Sequence, residues 1–549
     1  KYVNDTFVSL PAGFSELKKL RVLKFSYGVL KDIDELKDHP TLTTFSAVQN
    51  ELDSLKGLSG CEKLEVVDVS GSDNSRVKQN AGIQNFEGLE DATNLREVYF
   101  KKYDEQTTSS ILVGPTDPEP SYVGYGLQSL EGLNCANSLE VLDLKGHPGL
   151  HTLAGLENYT KLKTLKVLGA SNYNGRPYYY DNPGGVTTEM FDPAVHTPTY
   201  RTRGLKGANA LDALQSCTSL ETVNLNGNAI EDLSPLSNKS SIKELNLSRN
   251  LIQTLAPLST TNNLVTLIVS HNLLTNLTGI ESANSLEELD CSSQAGGANQ
   301  MRFYPAFQTE HVLRGLLEDI SAVNVQSLVT FNCSSNRLDN LNGLKNAANL
   351  TRLQASNNLF SDIKGDLQGC SSISYANFSN NNFVHFKDIG IGDAKDSLKE
   401  FYLPEQGYKS LAVGTNSNND SAILETLEGL EKFTILETIS VSINKITDDE
   451  FAHIPECIIL IEANHNELQD KAFSKFDPSK NTRLQTIRAS YNHISNILPL
   501  EAFTGLKELT LRGQSMTVPK HGGTATKVTT PDIGFEVDVL KTDQSTGLS

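Results

Sequence analysis

The chain has 549 residues and a formal net charge of −19 at pH 7. Its length exceeds what a single compact core usually holds, although a repeat protein escapes that limit because it grows in one dimension. The negative charge argues against a nucleic-acid backbone as partner, and no apolar run approaches the ~18 residues that a membrane span needs. The seven cysteines are scattered and lack a CxxC spacing. Buried thiols are therefore favoured over a disulfide framework or a zinc site.

A motif of 22 residues organises the chain, and it is clearest between Leu220 and Gln294. Four consecutive blocks there follow the frame LxxLxLxxN: LETVNLNGN, IKELNLSRN, LVTLIVSHN and LEELDCSSQ. The LxL core alternates apolar and polar residues, which predicts a strand with one buried face. Apolar residues at every third position follow, as in Ile230, Leu233 and Leu236, and they predict a short turn-like return. One such unit buries too little apolar surface to fold alone, so neighbouring units must stack.

The same frame recurs about eighteen times from Leu20 to Gln514. It predicts an α/β solenoid: a curved leucine-rich-repeat horseshoe with a parallel inner β-sheet and a convex side of irregular, 3-10 or short helical segments. Residues 1–19 are predicted to form an N-terminal cap turn. Residues 515–549 are predicted to be a linker, and their GFEVDVL stretch is either the first strand of a following β domain or a cap over the last repeat.

Five insertions interrupt the period, at about 73–82, 104–126, 171–208, 295–315 and 407–423. Each follows the ninth position of a repeat, so all five are expected to leave the solenoid along one edge, beside the strand ends. In regular repeats the ninth residue is mostly Asn, whose amide can bond buried backbone groups of adjoining turns. Before the insertions it is never Asn, but Ser72, Tyr103, Ala170, Gln294 or Gln406. The amide ladder is therefore expected to be missing where a loop replaces the tight turn.

The insertions are rich in aromatic residues and hold nine of the 17 tyrosines. Tyrosine mixed with Gly, Ser and Asn is typical of binding loops, because the ring offers rigid contact area and a polar tip. The alternative is that these loops pack on one another and on the solenoid edge. The candidate binding residues of the loops are Tyr122, Tyr125, Tyr173, Tyr178, Tyr179, Tyr180, Phe303, Tyr304, Phe307 and Tyr408.

The solvent-facing residues of the strands form a second candidate surface, the concave face. It is a polar, slightly acidic sheet, to which later repeats add Arg352, Tyr375, Tyr402, Arg488 and Arg512. Hydrogen bonds from such a face could recognise a protein or a glycan, whereas a plain solvated sheet needs no ligand. The candidate residues of the concave face are Asn224, Glu244, Asn246, Glu288, Asp290, Asn332 and Arg352.

The sequence shows no nucleophile elbow, Walker loop, dinucleotide fingerprint or HExxH motif. His147 and His151 lie in a Gly/Pro turn and are interpreted as surface turn residues rather than metal ligands. His271 and His465 precede ladder Asn residues and are interpreted as structural. The polar run at 416–420 could hold calcium, yet it lacks the full spacing of a known loop. We therefore predict a protein that is not an enzyme and has no cofactor, calcium aside.

Phrases such as Asn228-x-Ile230-x-x-Leu233-Ser-Pro-Leu236 resemble the internalin type of bacterial leucine-rich repeat. They are also similar to the repeat of the leucine-rich regulatory subunit of protein phosphatase one. The internalin resemblance implies an exported surface protein that binds host or neighbouring-cell receptors, mostly through the inner face. Two features depart from it: no cap helix is evident near Lys1, and long Tyr-rich insertions are atypical.

These patterns together predict an extracellular, cell-surface recognition module of the adhesin kind, although no signal peptide is visible in the sequence. The expected partner is a protein or a glycan, not a nucleic acid, and the chain is expected to be a monomer without a membrane span. The alternative is an intracellular scaffold or a regulatory subunit of an enzyme such as a phosphatase, which the unpaired cysteines favour.

Overall fold

The computed structural model describes residues 8–71, 80, 82–101, 126–147, 149–169, 204–294, 315–407 and 423–514. By its contacts the chain divides into two compact units, with the division between Gly296 and Gly297. We call these the first and the second unit. Ahead of the first strand lies a 3-10 turn, Phe14–Glu16. Residues 515–549 lie outside the described residues, so their assignment as a linker stays a prediction.

In the described part of the first unit, ten short strands follow one another, and each pairs in parallel with the next. The pairing joins the same frame position of consecutive repeats, as in Leu245 with Leu267 and Leu267 with Leu289. The strands are short because only the LxL core of each repeat alternates in burial. They are β1 Val22–Ser26, β2 Thr44–Val48, β3 Val66–Asp68, β4 Glu97–Lys101, β5 Val141–Lys145, β6 Thr164–Leu168, β7 Thr222–Asn224, β8 Glu244–Asn246, β9 Thr266–Ile268 and β10 Glu288–Asp290.

The second unit repeats this arrangement with eight parallel strands among its described residues. Leu353 pairs with Ala376, and Ile439 pairs with Ile461, again at one frame position. The strand positions that the repeat frame predicts are thus confirmed in both units. The strands are β11 Thr330–Asn332, β12 Arg352–Gln354, β13 Tyr375–Asn377, β14 Glu400–Tyr402, β15 Thr438–Ser440, β16 Leu460–Glu462, β17 Thr486–Arg488 and β18 Glu508–Thr510.

Short 3-10 turns form much of the return path between strands. In one of them the Leu236 N–H donates to the Leu233 carbonyl at 2.8 Å, which is the three-residue closure of a 3-10 turn. Pro235 suits the start of that turn, since its φ is already near the helical value and its missing N–H is not needed there. No helix among the described residues is long and apolar enough to cross a bilayer. Besides Phe14–Glu16 the turns are Asp34–Leu36, Lys56–Leu58, Asp212–Ser216, Ser234–Leu236, Ala256–Leu258, Asn342–Leu344, Phe386–Ile389, Gly392–Ala394, Leu430–Lys432, Asp448–His453, Ala472–Lys475 and Leu498–Leu500.

The core of each unit lies between the strands and this return path. Within one repeat, Leu225, Ile230 and Leu236 are all fully buried. Burying such a side chain contributes roughly 1.5–3 kcal/mol, which offsets the ordering of a repeat only because the next repeat covers its side. The predicted solenoid of stacked repeats, with parallel strands and 3-10 return segments, is confirmed.

The prediction of buried, unbridged thiols is also confirmed. All seven cysteines are free, six of them are buried, and Cys457 is half-buried. The Cys61 thiol donates to the Leu36 carbonyl of the preceding repeat at 3.3 Å. The Cys370 thiol donates in the same way to the Leu344 carbonyl at 3.2 Å. Burial raises the pKa of both thiols to about 11, so both stay protonated near neutral pH.

Candidate functional site

The inner face is the array of side chains that flank the buried residue of each strand and point away from the core. In β7, Val223 is buried, whereas Thr222 and Asn224 on either side of it are half-exposed. The parallel register places equivalent side chains of successive strands in columns about 4.8 Å apart. Each unit thus presents a regular surface whose side chains stand on hydrogen-bonded backbone.

A buried amide closes the carboxyl end of most strands. Asn250 is 5% exposed, and its Oδ1 accepts the Ile230 N–H at 3.0 Å. Its Nδ2 donates to Leu225 O at 3.0 Å and to Leu247 O at 2.9 Å. One side chain therefore satisfies buried backbone groups of two consecutive repeats, as the frame requires of its ninth position. The same contacts recur at Asn272, Asn358, Asn466 and Asn492. The described residues of both units therefore have the leucine-rich-repeat fold.

The expectation that this ladder lapses at the insertions is wrong for the two glutamines. Gln294 Oε1 accepts the Leu274 N–H at 3.1 Å, and its Nε2 donates to Val269 O at 3.0 Å. Gln406 makes the equivalent contacts before the fifth insertion. The longer side chain keeps the same donor and acceptor, so the ladder of this leucine-rich-repeat protein tolerates either amide. The other three ninth residues, Ser72, Tyr103 and Ala170, lie outside the described residues.

The interpretation of His147 as a surface turn residue is also wrong. His147 is 3% exposed and stands at the ninth position of its repeat, in place of Asn. Its Nδ1 accepts the Leu127 N–H at 3.3 Å and its Nε2 donates to Phe100 O at 2.7 Å, which fits a neutral ring. His151 is half-buried, with Nδ1 3.1 Å from Gly204 O. No group of three His, Cys, Asp or Glu side chains in the described part is placed to hold a metal ion.

The aromatic candidates of the five insertions all lie outside the described residues, as does the polar run at 416–420. Their part in binding therefore stays a prediction. The described residues that precede the insertions do lie at the carboxyl ends of strands, which is the edge that the spacing predicts for each unit. They are Gly71 after β3, Lys101 in β4, Gly169 after β6, Gln294 after β10 and Gln406 after β14.

Four of the predicted inner-face residues share a contact that sequence reasoning missed. Each side-chain Oδ1 accepts the backbone N–H two residues further on, at 3.0 to 3.1 Å; the four are Asn224, Asn246, Asp290 and Asn332. This contact caps the end of the strand, so part of each side chain's bonding capacity is used within the chain. The recurring spacing of Asn or Asp two residues before Ser or Asn is the signal that would have revealed it.

Opposite charges pair across neighbouring repeats in much of the first unit. Two positions ahead of the buried strand residue, Glu140 contacts Arg96 at 3.1 Å and Lys163 at 3.0 Å. Hydrogen bonding to Lys163, and then the charge of Arg96, lowers the pKa of Glu140. On the inner face itself, Lys101 pairs with Asp143 at 3.0 Å. The repeat spacing thus brings opposite charges into contact wherever the sequence supplies them.

The inner face of β8–β10 carries three carboxylates that form no ion pair with a lysine or arginine of the described residues. The register aligns Glu244 with Glu288 across Thr266, and it places Asp290 beside Ile268 in the next row. Glu244 and Glu288 are exposed, and Asp290 is half-exposed. Among the described residues no lysine or arginine forms an ion pair with any of the three. We name Glu244, Glu288 and Asp290 the acidic array.

The second unit carries a contrasting patch on β12–β14. The Arg352 guanidinium lies 3.7 Å from the centroid of the Tyr375 ring, and that centroid lies 5.5 Å from the centroid of Tyr402. Tyr402 donates its hydroxyl to Glu400 at 3.1 Å, and burial together with Glu400 raises the pKa of Tyr402 to about 12. Within the described part of the chain, no carboxylate pairs with Arg352. We name Arg352, Tyr375, Glu400 and Tyr402 the tyrosine shelf.

No protein-family model and no curated protein matches this chain in sequence. Several solved structures are similar to it in part. A leucine-rich-repeat protein of Leptospira interrogans is 14% identical, with 91% of this chain and 93% of that chain covered and a TM-score of 0.43. An internalin of Listeria monocytogenes is 18% identical, with 55% and 83% covered and a TM-score of 0.40. The plant peptide hormone receptor RGFR1, solved in complex with RGF2, is 14% identical, with 93% and 81% covered and a TM-score of 0.42.

Proposed function

We propose that this leucine-rich-repeat protein is the non-catalytic recognition module of a cell-surface protein, and that it binds a partner protein through the inner faces of its units. The main support for this proposal is that some charged side chains of the inner face form ion pairs and others do not. The inner face pairs Lys101 with Asp143 at 3.0 Å. In the described residues it leaves the acidic array and Arg352 without an opposite charge.

Unpaired charges on a fixed sheet favour the arrival of a partner. Like charges that a rigid backbone holds near one another repel, and an opposite charge on a partner relieves that repulsion. The backbone below the acidic array is already tied together by ladder amides such as Asn250 and Asn272. Little further ordering is needed on binding, so more of the contact energy appears as affinity.

The two surfaces favour a polypeptide as the partner. The acidic array is complementary to a basic patch, and the tyrosine shelf holds the residue types, Tyr and Arg, that dominate the affinity of protein interfaces. A glycan would instead be recognised mainly by hydroxyl and amide groups. Several of those groups on the inner face, including Asn224, Asn246 and Asn332, already accept backbone hydrogen bonds within the chain.

Binding of the purified chain to panels of cell-surface ectodomains and of glycans tests this proposal. The double variant Glu244→Gln and Glu288→Gln removes two inner-face charges, and Arg352→Gln removes one. The matched control, Glu62→Gln with Glu231→Gln, removes two exposed carboxylates from the return path. We expect about tenfold weaker protein binding for the inner-face variants and parental binding for the control. Equal binding by every variant would remove the inner face from the proposal.

The insertions are tested separately as a second contact surface. Deleting residues 177–185 and 301–307 removes most of the aromatic candidates of the third and fourth insertions. We expect weaker binding to the same ectodomain with unchanged thermal stability. Unchanged binding would confine recognition to the inner face.

The second candidate function is an intracellular scaffold or enzyme regulator. Seven free thiols favour it, because secreted proteins usually oxidise their cysteines in pairs. The full-length gene product discriminates between the two functions. Surface labelling of intact cells that modifies the protein supports the cell-surface function, and recovery of the protein only from the cell interior supports the regulator.

A further inference from the structure

We infer that the tyrosine shelf binds one acidic side chain together with an aromatic or aliphatic side chain two residues away, both on one face of an extended stretch of a partner polypeptide. This inference rests on the proposed function and narrows it to a chemical class of partner sequence. Its centre is Arg352, the exposed cation at the start of β12.

The Arg352 guanidinium stacks on the Tyr375 ring, so its N–H donors point along the guanidinium plane and not into the ring. One face of the guanidinium covers Tyr375 at 3.7 Å. A guanidinium donates only in its own plane, so stacking leaves its N–H edge for other groups. In the orientation of Gln354 that satisfies both side chains, the amide oxygen lies 3.1 Å from Nε and 3.2 Å from Nη2 of Arg352. That neutral contact fixes the plane of the guanidinium, and no carboxylate of the described residues neutralises its charge.

A carboxylate is the group that this arrangement lacks. Hydrogen bonds between a guanidinium and a carboxylate are charge-assisted and about twice as strong as neutral ones. The chain forms such a bond elsewhere on the inner face of the second unit, where Arg488 contacts Glu462 at 2.7 Å and Glu508 at 2.8 Å. At Arg352 the equivalent acid has to come from a partner.

The two tyrosines supply a flat apolar area beside this charge. The ring centroids of Tyr375 and Tyr402 are 5.5 Å apart, with the ring planes inclined by 41°. Both residues are half-exposed, on neighbouring strands. The Tyr402 hydroxyl is already engaged with Glu400, so the ring rather than the hydroxyl is the part that meets a partner. Aromatic rings of this kind offer contact area at low entropic cost.

Glu400 restricts where the acid of the partner can lie. The register pairs Arg352 with Tyr375 and Tyr375 with Glu400, so the cation and the exposed carboxylate stand two strands apart. Two strand spacings are about 9.6 Å, which lies between the ~6.6 Å and ~13 Å that separate same-face residues two and four positions apart in an extended stretch. With the apolar residue at the second position, a further acid at the fourth position would meet repulsion at Glu400. A basic or neutral residue is favoured there.

Short peptides bound to the whole chain test this inference. The probes are acetyl-Gly-Glu-Gly-Phe-Gly-Lys-Gly-amide, the same peptide with Gln for Glu, and the same peptide with Glu for Lys, each titrated while protein-observed NMR or calorimetry reports binding. We expect the first probe to bind about tenfold more tightly than either of the others. A sulfated disaccharide serves as a fourth probe and is expected to bind more weakly than the first peptide.

Variants of the shelf assign the effect to its residues. Arg352→Gln should remove the preference for Glu over Gln, and Arg352→Lys should keep only part of it because Lys lacks the planar fork. Glu400→Gln should strengthen binding of the two-acid peptide several-fold. Tyr402→Ala removes one of the two rings and should weaken binding of the first probe several-fold. Arg21→Gln removes an exposed charge outside the shelf and is the matched control.

Several outcomes would overturn the inference. They are equal binding of the Glu and Gln probes, an unchanged preference in Arg352→Gln, tighter binding of the sulfated disaccharide than of the first peptide, and no binding of that peptide at millimolar concentration. If the inner-face variants still lose an ectodomain partner while the peptides fail, the proposed function stands and only the acid-and-aromatic specificity falls.

Discussion

Replacing Asn272 by Leu tests whether the ladder amide, rather than its bulk, ends each strand. Asn272 is 1% exposed, and its Oδ1 accepts the Ile252 N–H at 3.1 Å. Its Nδ2 donates to Leu247 O at 3.0 Å and to Val269 O at 2.9 Å. A leucine fits a similar space but can neither donate nor accept, so these contacts and a longer one to Ser270 O at 3.4 Å are lost together.

The expected loss of stability depends on which hydrogen-bond partners each backbone group retains in the Leu variant. The Leu247 and Val269 carbonyls retain a second amide partner, because Asn250 donates to one at 2.9 Å and Gln294 to the other at 3.0 Å. The buried Ile252 N–H loses the side-chain acceptor that serves it. An orphaned buried donor costs about 1–3 kcal/mol and each lost hydrogen bond about 0.5–1.5 kcal/mol, so we expect Asn272→Leu to lower the free energy of unfolding by about 2–6 kcal/mol.

Asn272→Gln is the matched control, since Gln294 makes the same contacts one repeat later. It adds one methylene at a buried site and should cost about 1–3 kcal/mol, less than the Leu variant because the donor and acceptor are kept. Urea unfolding followed by circular dichroism gives the change in stability, and hydrogen exchange at the Ile252 amide gives the local effect. A Leu variant with the parental urea midpoint and a protected Ile252 amide, or a Gln variant as damaged as the Leu variant, would refute the ladder argument.

Three further predictions concern buried groups. Burial lowers the pKa of His39, so near that pKa the unfolded chain binds more protons than the folded chain. The melting temperature should therefore fall as the pH drops below about 6.5, and His39→Cys should make the melting temperature less dependent on pH. Gly57→Ala places a Cβ against the Ile33 carbonyl and should lower the free energy of unfolding in urea by about 1–3 kcal/mol. The Cβ of Gly392→Ala has no atom within 4 Å, so that variant should unfold like the parent. Iodoacetamide should modify Cys457 before the six buried cysteines, as mass spectrometry of the folded protein would show.

Local pattern was enough to predict the repeat fold. Apolar residues alternate with polar ones along each strand and then recur at every third position of the return segment. Both periods can be read from the sequence without knowing which repeats are neighbours. The frame positions Leu225, Ile230 and Leu236 are buried as predicted, and so is Cys61. The cysteines are free thiols, as predicted.

The roles of individual polar residues depended on neighbours that are distant in sequence. Whether Gln294 or His147 can replace a ladder Asn is decided by the positions of backbone groups one repeat away. The register between neighbouring strands decides whether a charged side chain finds an opposite charge. It places Lys101 beside Asp143, whereas it places Arg352 on the ring of Tyr375. A period in the sequence determines that such residues face outward. Only the stacking of repeats decides which of them meet, because the contacts that satisfy a polar group are made across repeats rather than along the chain.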